Sequence, residues 1–371
     1  MRKLYEQDII EILYGATLLG AGGGGSLSQG LGMLEGLKED GHKIELELLE
    51  LDEIGDDEYA AVVCGLGKYC SARPLDPDKP KFGPDAVHAF KAFQKAFLVE
   101  GKSVKYLQSG EMGGFNTFSP MLVSILSDAD PEKRIKMIDV DCNGRAVPEL
   151  NTTLTSYWNH PPTPMGLGSL YGDEIIVYPT SDHSGEQIAR QMCMLYDMRI
   201  GFSTWGMNKA EMKAALVPGC VTKAQMIGKA ILTAKAEGTD LMEELKKAFE
   251  VREFCRGTIE KLDLKAEGGF DFGTTVVRGE DGRSYFIDFK NENLILRDEN
   301  GETIMTAPDG IGMIDMDTMM PMTNADTKVG MKVLVTMTPA PENWWDPVRK
   351  PYECWLPELK KVGMKGDQVR Y

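Results

Sequence analysis

The amino-acid sequence predicts an α/β N-terminal domain with a mainly parallel sheet, followed by a C-terminal α+β part that is β-rich. In the first half, short apolar segments typical of strands alternate with segments of helical periodicity, the order expected for a parallel sheet with helical crossovers. From Gly257 onward, apolar and polar residues alternate between turn pairs such as Asp281-Gly282 and Asn300-Gly301. That pattern is typical of antiparallel strands.

The domain boundary is expected near residue 165. The segment 151–169 is irregular, and three of its residues between positions 161 and 164 are prolines, which interrupt helices and central strands. We therefore assign residues 1–165 to an α/β domain that carries the glycine-rich and acidic loops. Residues 166–371 are assigned to helices followed by a β-rich domain.

Hydrophobic periodicity places the individual elements in order. Apolar residues at helical spacing predict helices over residues 5–19, 27–37, 86–98, 118–126, 185–196, 209–216, 222–237 and 239–251. Short β-branched and aromatic segments predict strands over residues 44–49, 59–64, 105–108, 135–140 and 174–178.

The composition excludes several classes of protein. Subtracting 57 acidic from 41 basic residues gives a net charge of −16, and no dense Lys/Arg segment offers the basic surface that nucleic acid requires. The sequence contains no stretch of about 18 apolar residues that could span a membrane. Glu6, Asp8 and Glu11 interrupt the segment that would have to form the apolar core of a secretion signal. The seven cysteines include no C-x-x-C pair, which indicates reduced thiols. We therefore expect a cytoplasmic protein with a small-molecule substrate, and neither nucleic acid nor a membrane as partner.

The segment 105–149 is the best candidate for an active site. Its predicted strand, helix and strand form a β-α-β unit, and in an open parallel sheet ligands bind beyond the carboxyl ends of the strands. Polar residues and glycines lie at those two ends: Glu111, Gly113, Gly114 and Asn116 after the first strand, and Asp139, Asp141 and Arg145 after the second.

The acidic residues of this segment have several interpretations. Glu111 is a candidate general base or an anchor for a substrate N–H, and the alternative is that it caps the following helix. Asp139 and Asp141 would share one face of a continued strand, and a turn after Val140 would separate them. Together they could bind a divalent metal, because carboxylate oxygens suit Mg²⁺ or Zn²⁺. Whether a metal or another cofactor is used stays open at this stage.

Further candidates would bind substrate. Arg145 and Glu149 are spaced to pair with each other, and Arg145 would equally hold a substrate carboxylate. Asn116 would orient a ring. Asn291 and Asn293 belong to a polar cluster between two strand-like segments, a position that is ordinarily turn chemistry but is also suited to substrate contact.

Four consecutive glycines, Gly22, Gly23, Gly24 and Gly25, follow the first predicted helix. The segment from Gly20 to Gly25 satisfies the pattern G-x-G-x-x-G. A dinucleotide-binding fingerprint, however, requires a strand before the glycines, and here a helix precedes them. The run either ends the helix with left-handed backbone angles or brings bare backbone N–H groups against a ligand. Each glycine costs roughly 0.5–1 kcal/mol against alanine in ordered structure. A single glycine would suffice for a cap, so we favour the ligand.

A resemblance emerges from segments that occur together in one order: GATLLGAGGGGS, SGEMGGFNTFSP, VDCNGRAVPEL, FKNENL, TAPDGIGMID and TPAPENWW. This order resembles the S-methyl thiohydantoin desulfurase family over about residues 5–346. The resemblance implies a two-part architecture and a hydrolase of a small cyclic ureide or S-alkyl thiohydantoin, in which water attacks the ring carbon between the nitrogens and a thiol leaves. Members of that family occur beside or fused to hydantoinase and oxoprolinase proteins.

Two functions are therefore carried forward. In the first, Glu111 or Asp141 activates water, while backbone N–H groups of the glycine run and of Gly113 and Gly114 stabilise the charge that develops on the ring. In the second, the chain is a non-catalytic accessory or ligand-binding subunit of a hydantoinase- or oxoprolinase-like complex, since no histidine-based catalytic pattern is present. Whether the chain assembles with a hydantoinase- or oxoprolinase-like partner, or with further copies of itself, stays open at this stage.

Overall fold

A computed structural model describes residues 1–67 and 83–371. It confirms the predicted fold class: a mainly parallel central sheet with helices forms the N-terminal part, and an all-antiparallel sheet with helices forms the C-terminal part. Cys70 lies outside the described residues.

Within the described residues, the first sheet has nine strands. They are β1 Arg2–Tyr5, β2 Glu45–Leu49, β3 Tyr59–Gly67, β4 Val104–Ser109, β5 Lys136–Asp141, β6 Met165–Gly168, β7 Glu174–Val177, β8 Arg199–Asn208 and β9 Val217–Pro218. Their order is β1-β2-β5-β4-β3-β8-β6-β7, with β9 paired to β5. The centre, β2-β5-β4-β3, is parallel, and antiparallel strands extend it on both sides.

The predicted helices occur in the predicted order, together with short helices at 154–157 and 356–361 that were not predicted. They are α1 Glu6–Leu19, α2 Leu27–Glu39, α3 Pro84–Val99, α4 Phe118–Ser127, α5 Leu154–Tyr157, α6 Asp182–Leu195, α7 Lys209–Ala215, α8 Cys220–Glu237, α9 Leu241–Ala248 and α10 Leu356–Lys361. The start of α2 is encoded locally, because Ser26 and Gln29 form a capping box. Within the described ranges, no helix has both the length and the apolar character that a membrane crossing requires.

The predicted β-α-β unit is confirmed as β4, α4 and β5. Helix α4 is buried along most of its length, which matches its apolar sequence FSPMLVSILS. Strand β5 continues through Asp141, so the strand does not turn after Val140.

The second sheet, in the part of the chain that the structure describes, has eight strands in the order β14-β13-β12-β11-β10-β17-β15-β16. They are β10 Arg252–Glu267, β11 Phe270–Gly279, β12 Ser284–Lys290, β13 Glu292–Arg297, β14 Thr303–Thr306, β15 Gly310–Asp315, β16 Met320–Pro321 and β17 Lys332–Thr338. Every pairing in it is antiparallel.

Strand β8 was not predicted. Most of its residues are buried, so the polar and apolar alternation that marks a half-exposed strand is missing. Its two glycines also weaken the pattern, and both are required by packing. A Cβ at Gly201 would lie 2.1 Å from the carbonyl oxygen of Asp85, and one at Gly206 would lie 2.5 Å from the ring of Phe97. The glycines thus let α3 pack closely on the sheet.

One hydrophobic core joins the two parts of the molecule. It contains residues of α1, α4 and α8 together with Leu294, Ile314 and Leu334 of the second sheet. Helices α1 and α8 approach closely because Gly15 and Gly228 lack side chains; a Cβ at either would lie within 1.8 Å of the other helix's backbone. The predicted domain boundary, residue 165, is the first residue of β6, and the first sheet continues to residue 218.

Candidate active site

A cavity lies between the two parts of the molecule, at the carboxyl ends of β3 and β4. It has a volume of ≈ 100 Å³. The first part contributes the glycine run, the ends of β3 and β4 and one face of α6, and the second contributes the turn between β12 and β13. Its polar lining residues are Glu111, Asn116, Glu149, Thr153, Glu186, Arg190, Asp271, Asn291, Glu292 and Thr323.

The glycine run interlocks with the loop after β4. The carbonyl oxygen of Gly24 accepts hydrogen bonds from the N–H groups of Phe115 (3.2 Å) and Asn116 (3.0 Å), and that of Gly25 accepts from Gly114 N–H (2.9 Å). Gly24 and Gly25 have φ of +71° and +82°, in the left-handed region that favours glycine. The two loops that the sequence predicts to be functional therefore fold as one unit.

Close contacts explain why these positions carry no side chain. A Cβ at Gly113 would lie 2.2 Å from the carbonyl oxygen of Gly24, and a Cβ at Gly23 would lie 2.0 Å from Glu292 Oε1. Helix α1 ends at Leu19, its C-cap Gly20 has φ of −61°, and the left-handed residue that follows is Ala21 with φ of +46°, so the end of the helix does not depend on the glycine run. The run is thus shaped by contacts with its neighbours at the edge of the cavity.

Three of the backbone donors predicted to face a substrate have partners in the protein. Gly113 N–H donates to Thr117 Oγ1 at 3.1 Å, Gly114 N–H to the Gly25 carbonyl, and Gly23 N–H to the Gly20 carbonyl at 3.0 Å. The prediction that these three groups stabilise developing charge is therefore corrected. No described residue accepts a hydrogen bond from the N–H groups of Gly22, Gly24 or Gly25, which line the cavity.

Glu111 is half-buried at the cavity wall and held in one orientation. Asn116 Nδ2 donates to its Oε1 at 2.5 Å, and the N–H of Val147 donates to its Oε2 at 2.9 Å. Burial raises the pKa of Glu111 above its usual range, and the charge of Asp141 raises it further, while the two hydrogen bonds lower it. Such a carboxyl can exchange a proton near neutral pH.

Asn116 connects Glu111 to the end of β3. Its Oδ1 accepts a hydrogen bond from Gly65 N–H at 2.8 Å, while its Nδ2 serves Glu111. The loop after β5 joins this group through Asn143, whose Nδ2 donates to the carbonyl of Gly110 at 3.0 Å. The end of β3 and the loops after β4 and β5 therefore converge, and the side-chain amide of Asn116 orients the carboxylate.

Glu292 enters the cavity from the opposite side, at the tip of the β12–β13 turn. The chain reverses at Asn291, which has φ of +56° and whose Oδ1 accepts from Asp271 N–H at 2.9 Å. Glu292 is buried, and no donor within the described residues reaches its Oε2. Burial raises the pKa of Glu292, and the negative charge of Glu111 raises it further. The positive charges of Arg145 and Arg190 lower it.

Glu186 and Arg190 line the cavity from α6 and were not predicted as site residues. Arg190 Nε donates to Glu186 Oε1 at 2.6 Å, and the N–H of Leu150 donates to Glu186 Oε2 at 3.0 Å. The guanidinium lies 4.2 Å from the centre of the Phe270 ring. The only sequence signal for them is the spacing of four residues between an acidic and a basic side chain on a predicted helix. That spacing is common in ion pairs on protein surfaces, so it does not by itself indicate a functional site.

Asp139 and Asp141 lie outside the cavity lining. Asp139 Oδ1 accepts from the N–H groups of Val221 (2.8 Å) and Thr222 (3.2 Å), so it caps α8. Asp141 Oδ1 accepts from Asn143 N–H (2.8 Å) and Gly144 N–H (2.5 Å), and burial raises its pKa to about 6.

Arg145 and Glu149 have other partners, so the predicted pairing between them is wrong. The Arg145 guanidinium is buried and donates to four backbone carbonyls, at 2.9–3.1 Å, those of Ala146, Asn293, Pro308 and Asp309. Glu149 forms ion pairs with Lys290 and Lys361 while lining the cavity.

Asn293 holds the glycine run in place through hydrogen bonds to backbone carbonyl groups. Its N–H donates to the carbonyl of Ala21 at 2.8 Å, and its Nδ2 donates to that of Ile311 at 2.9 Å. The N–H of Asn324 likewise donates to the carbonyl of Gly22 at 2.9 Å. Asn291 lines the cavity, whereas Asn293 holds the loop that forms its edge.

The described residues offer no prearranged metal centre. Among residues 1–67 and 83–371, no group of three or more His, Cys, Asp or Glu side chains is placed to hold a metal ion. Cys64 lines the cavity, but burial, followed by the nearby Glu111, raises the pKa of its thiol well above the usual value. It is therefore a poor nucleophile at neutral pH.

Comparisons with known proteins agree with this architecture. Family models for the S-Me-THD-like N-terminal and C-terminal domains match residues 7–179 and 180–350. A crystal structure of a protein from Chromobacterium violaceum is 21% identical and aligns over 100% of both chains with a TM-score of 0.79, which shows a shared fold. A search of curated proteins returned no match.

Proposed function

This chain belongs to the S-Me-THD-like family, that of the S-methyl thiohydantoin desulfurases, and from that membership we propose that it hydrolyses an S-alkyl thiohydantoin or a related cyclic ureide. Water attacks the ring carbon between the two nitrogens, the bond from that carbon to sulfur breaks, and an alkylthiol leaves. The product is the corresponding hydantoin, in which oxygen has replaced sulfur.

The observation that carries this proposal is the placement of Glu111. Its carboxylate lies at the cavity wall and is oriented by two hydrogen bonds, and its raised pKa suits a base that takes a proton from water and later releases it. In the first step Glu111 takes one proton from the attacking water. In the second step it gives that proton to the departing sulfur, so the thiol leaves as a neutral molecule.

The glycine run supports the same chemistry. As water adds, the electron pair of the ring carbon–nitrogen double bond moves onto nitrogen, and negative charge develops there. The N–H groups of Gly22, Gly24 and Gly25 border the cavity and donate to no described residue. Preorganised backbone donors at such a position stabilise developing charge.

The test is release of methanethiol from S-methyl thiohydantoin, followed with a thiol-reactive dye, by the wild-type chain and by Glu111→Gln. We expect turnover by the wild type and a loss of about 10²–10⁴-fold in kcat in the variant, the usual contribution of general acid–base catalysis. Asp288→Asn is the control, because Asp288 is buried but bonds Thr274 and Arg297 outside the cavity.

Absence of thiol release by the wild type, together with stoichiometric copurification of a hydantoinase-like protein, would overturn the proposal in favour of an accessory subunit. Full activity of Glu111→Gln would overturn the assigned base while leaving the reaction in place.

A further inference from the structure

We propose that Glu292 is a second catalytic residue of the reaction described above, the acid that donates a proton to the ring nitrogen as water adds. The inference rests on the proposed function and adds to it a proton donor from the C-terminal part of the molecule. Two observations support it: the unequal hydrogen bonding of the two carboxyls in the cavity, and the contact of Glu292 with Gly23.

The first observation is that the cavity holds two carboxyls with unequal hydrogen bonding. Glu111 accepts hydrogen bonds on both oxygens, which favours its charged form. Glu292 Oε2 accepts none from the described residues. Two neighbouring carboxyls resist ionising together, so the less solvated one keeps the proton. Glu111 is then the base, and Glu292 the acid.

The second observation is that Glu292 is fixed in place by the protein. The turn at Asn291 presents it from β13, and a Cβ at Gly23 would have the Oε1, Cδ and Cγ atoms of Glu292 as its three nearest neighbours. The absence of a side chain at position 23 therefore makes room for this carboxyl. Because Gly23 N–H donates to the Gly20 carbonyl, the space serves Glu292 and not a substrate contact to that N–H.

The proton balance of the reaction requires such a group. Water brings two protons: one ends on the thiol and the other on the ring nitrogen. As the carbon–oxygen bond forms, Glu111 takes a proton from water, and Glu292 gives its proton to the nitrogen that receives the electron pair. As the carbon–sulfur bond breaks, Glu111 protonates the sulfur, and the carbonyl forms as the remaining hydroxyl proton passes to Glu292. Both residues return to their starting forms.

Several charged groups face Glu292 and influence its titration. They come from each element that borders the cavity: Glu111 and Arg145 from the loops after β4 and β5, Glu149 beyond them, Glu186 and Arg190 from α6, and Asp271 from β11. The charge of Glu111 favours the protonated form of Glu292, and the charges of the two arginines oppose it.

The experiment measures kcat and kcat/KM against pH for thiol release by the wild type, Glu292→Gln, Gly23→Ala and Glu111→Gln, with Asp288→Asn as the buried-carboxylate control. For the wild type we expect a bell-shaped profile, which rises as Glu111 loses its proton and falls as Glu292 loses its own. Glu292→Gln should lower kcat about 100-fold or more, change KM little, and abolish the alkaline fall.

Gly23→Ala keeps every titratable group and adds one methyl group against the Glu292 carboxyl. Since φ of Gly23 lies outside the left-handed region, the backbone tolerates alanine. We expect a loss of about tenfold or more in kcat and a displaced alkaline limb, which tests the proposal even where Glu292→Gln folds poorly.

An alkaline limb and kcat that are unchanged in both Glu292→Gln and Gly23→Ala would overturn the role of Glu292, while thiol release by the wild type and its loss in Glu111→Gln would leave the proposed function standing. No release by the wild type would overturn both.

Discussion

The cavity and the end of β5 both contain charged side chains removed from solvent, and the two regions differ in how those side chains are hydrogen-bonded. At the end of β5, Asp139 and Arg145 bond to backbone groups that surround them. In the cavity, Glu111 and Glu292 share a small space, and one carboxyl oxygen has no described donor. Asp141, at the end of β5, also leaves its Oδ2 without a described donor, but Asp141 lies outside the cavity lining. The comparison therefore indicates that a buried carboxyl is available for chemistry when it has an unsatisfied oxygen and also faces the cavity.

The largest effect expected from this comparison is on catalysis. Glu111→Gln should reduce kcat for thiol release by about 10²–10⁴-fold and leave the free energy of unfolding within about 1 kcal/mol, because the amide keeps the size of the side chain. Steady-state kinetics and urea denaturation of the same preparation would measure both. A variant that loses stability and activity in parallel would place Glu111 with the structural charges.

Arg145→Met should show the reverse pattern. Removing the guanidinium leaves four buried carbonyl oxygens without their donor, at an expected cost of about 3 kcal/mol in unfolding free energy. The measurement is urea denaturation beside the exposed control Arg278→Met. If Arg145→Met keeps its stability but loses substrate affinity, the sequence-based prediction of a substrate-binding arginine stands.

Asp139→Ala is expected to cost less, about 1–2 kcal/mol, because it removes the acceptor for the first N–H groups of α8. Thermal unfolding would report the loss, and kcat per folded molecule should stay within twofold. Asp263→Ala, at an exposed aspartate on β10, is the matched control. A selective fall in kcat would return Asp139 to the list of catalytic residues.

The smallest effect concerns pH and stability. Glu292 has a folded-state pKa raised by burial above the unfolded value of about 4.3, so the folded chain holds a proton that the unfolded chain releases. Stability is then greatest below the unfolded pKa and falls as pH rises through the folded one, by at most about 1.4 kcal/mol per pH unit. Glu292→Gln should flatten this fall.

Urea denaturation at several pH values would measure that slope. The wild type and the variant should be alike in acid, and the variant should become the more stable of the two in mild alkali. Parallel curves over the whole range would show that Glu292 carries no raised pKa.

Much of the fold follows from local pattern. The alternation of strands and helices gave the β4-α4-β5 unit and the antiparallel second half because each depends on the residues of its own segment. Strand β8 was not predicted, because most of its residues are buried and two are glycines, so polar and apolar residues do not alternate along it. What makes it a strand is its pairing with β3, more than a hundred residues earlier, and no local pattern encodes that pairing.

Local sequence patterns predicted the residues of the cavity only in part, for the same reason. Glu111 and Asn116 were predictable because they follow a strand of a parallel sheet. Glu292 stands in a segment recognised as polar, between two asparagines that were selected instead. Which of these side chains enters the cavity depends on the reversal at Asn291 and on the packing of one sheet against loops of the other. Such long-range placement is absent from the sequence pattern.

The contact between Gly23 and Glu292 has an evolutionary consequence. One residue lies near the start of the chain and the other in the second sheet, yet a side chain at position 23 would displace the carboxyl of a glutamate at position 292. The two positions should therefore change together among homologues. A recombinant that joins the first half of one homologue to the second half of another would be active only when this pair is inherited as a matched set.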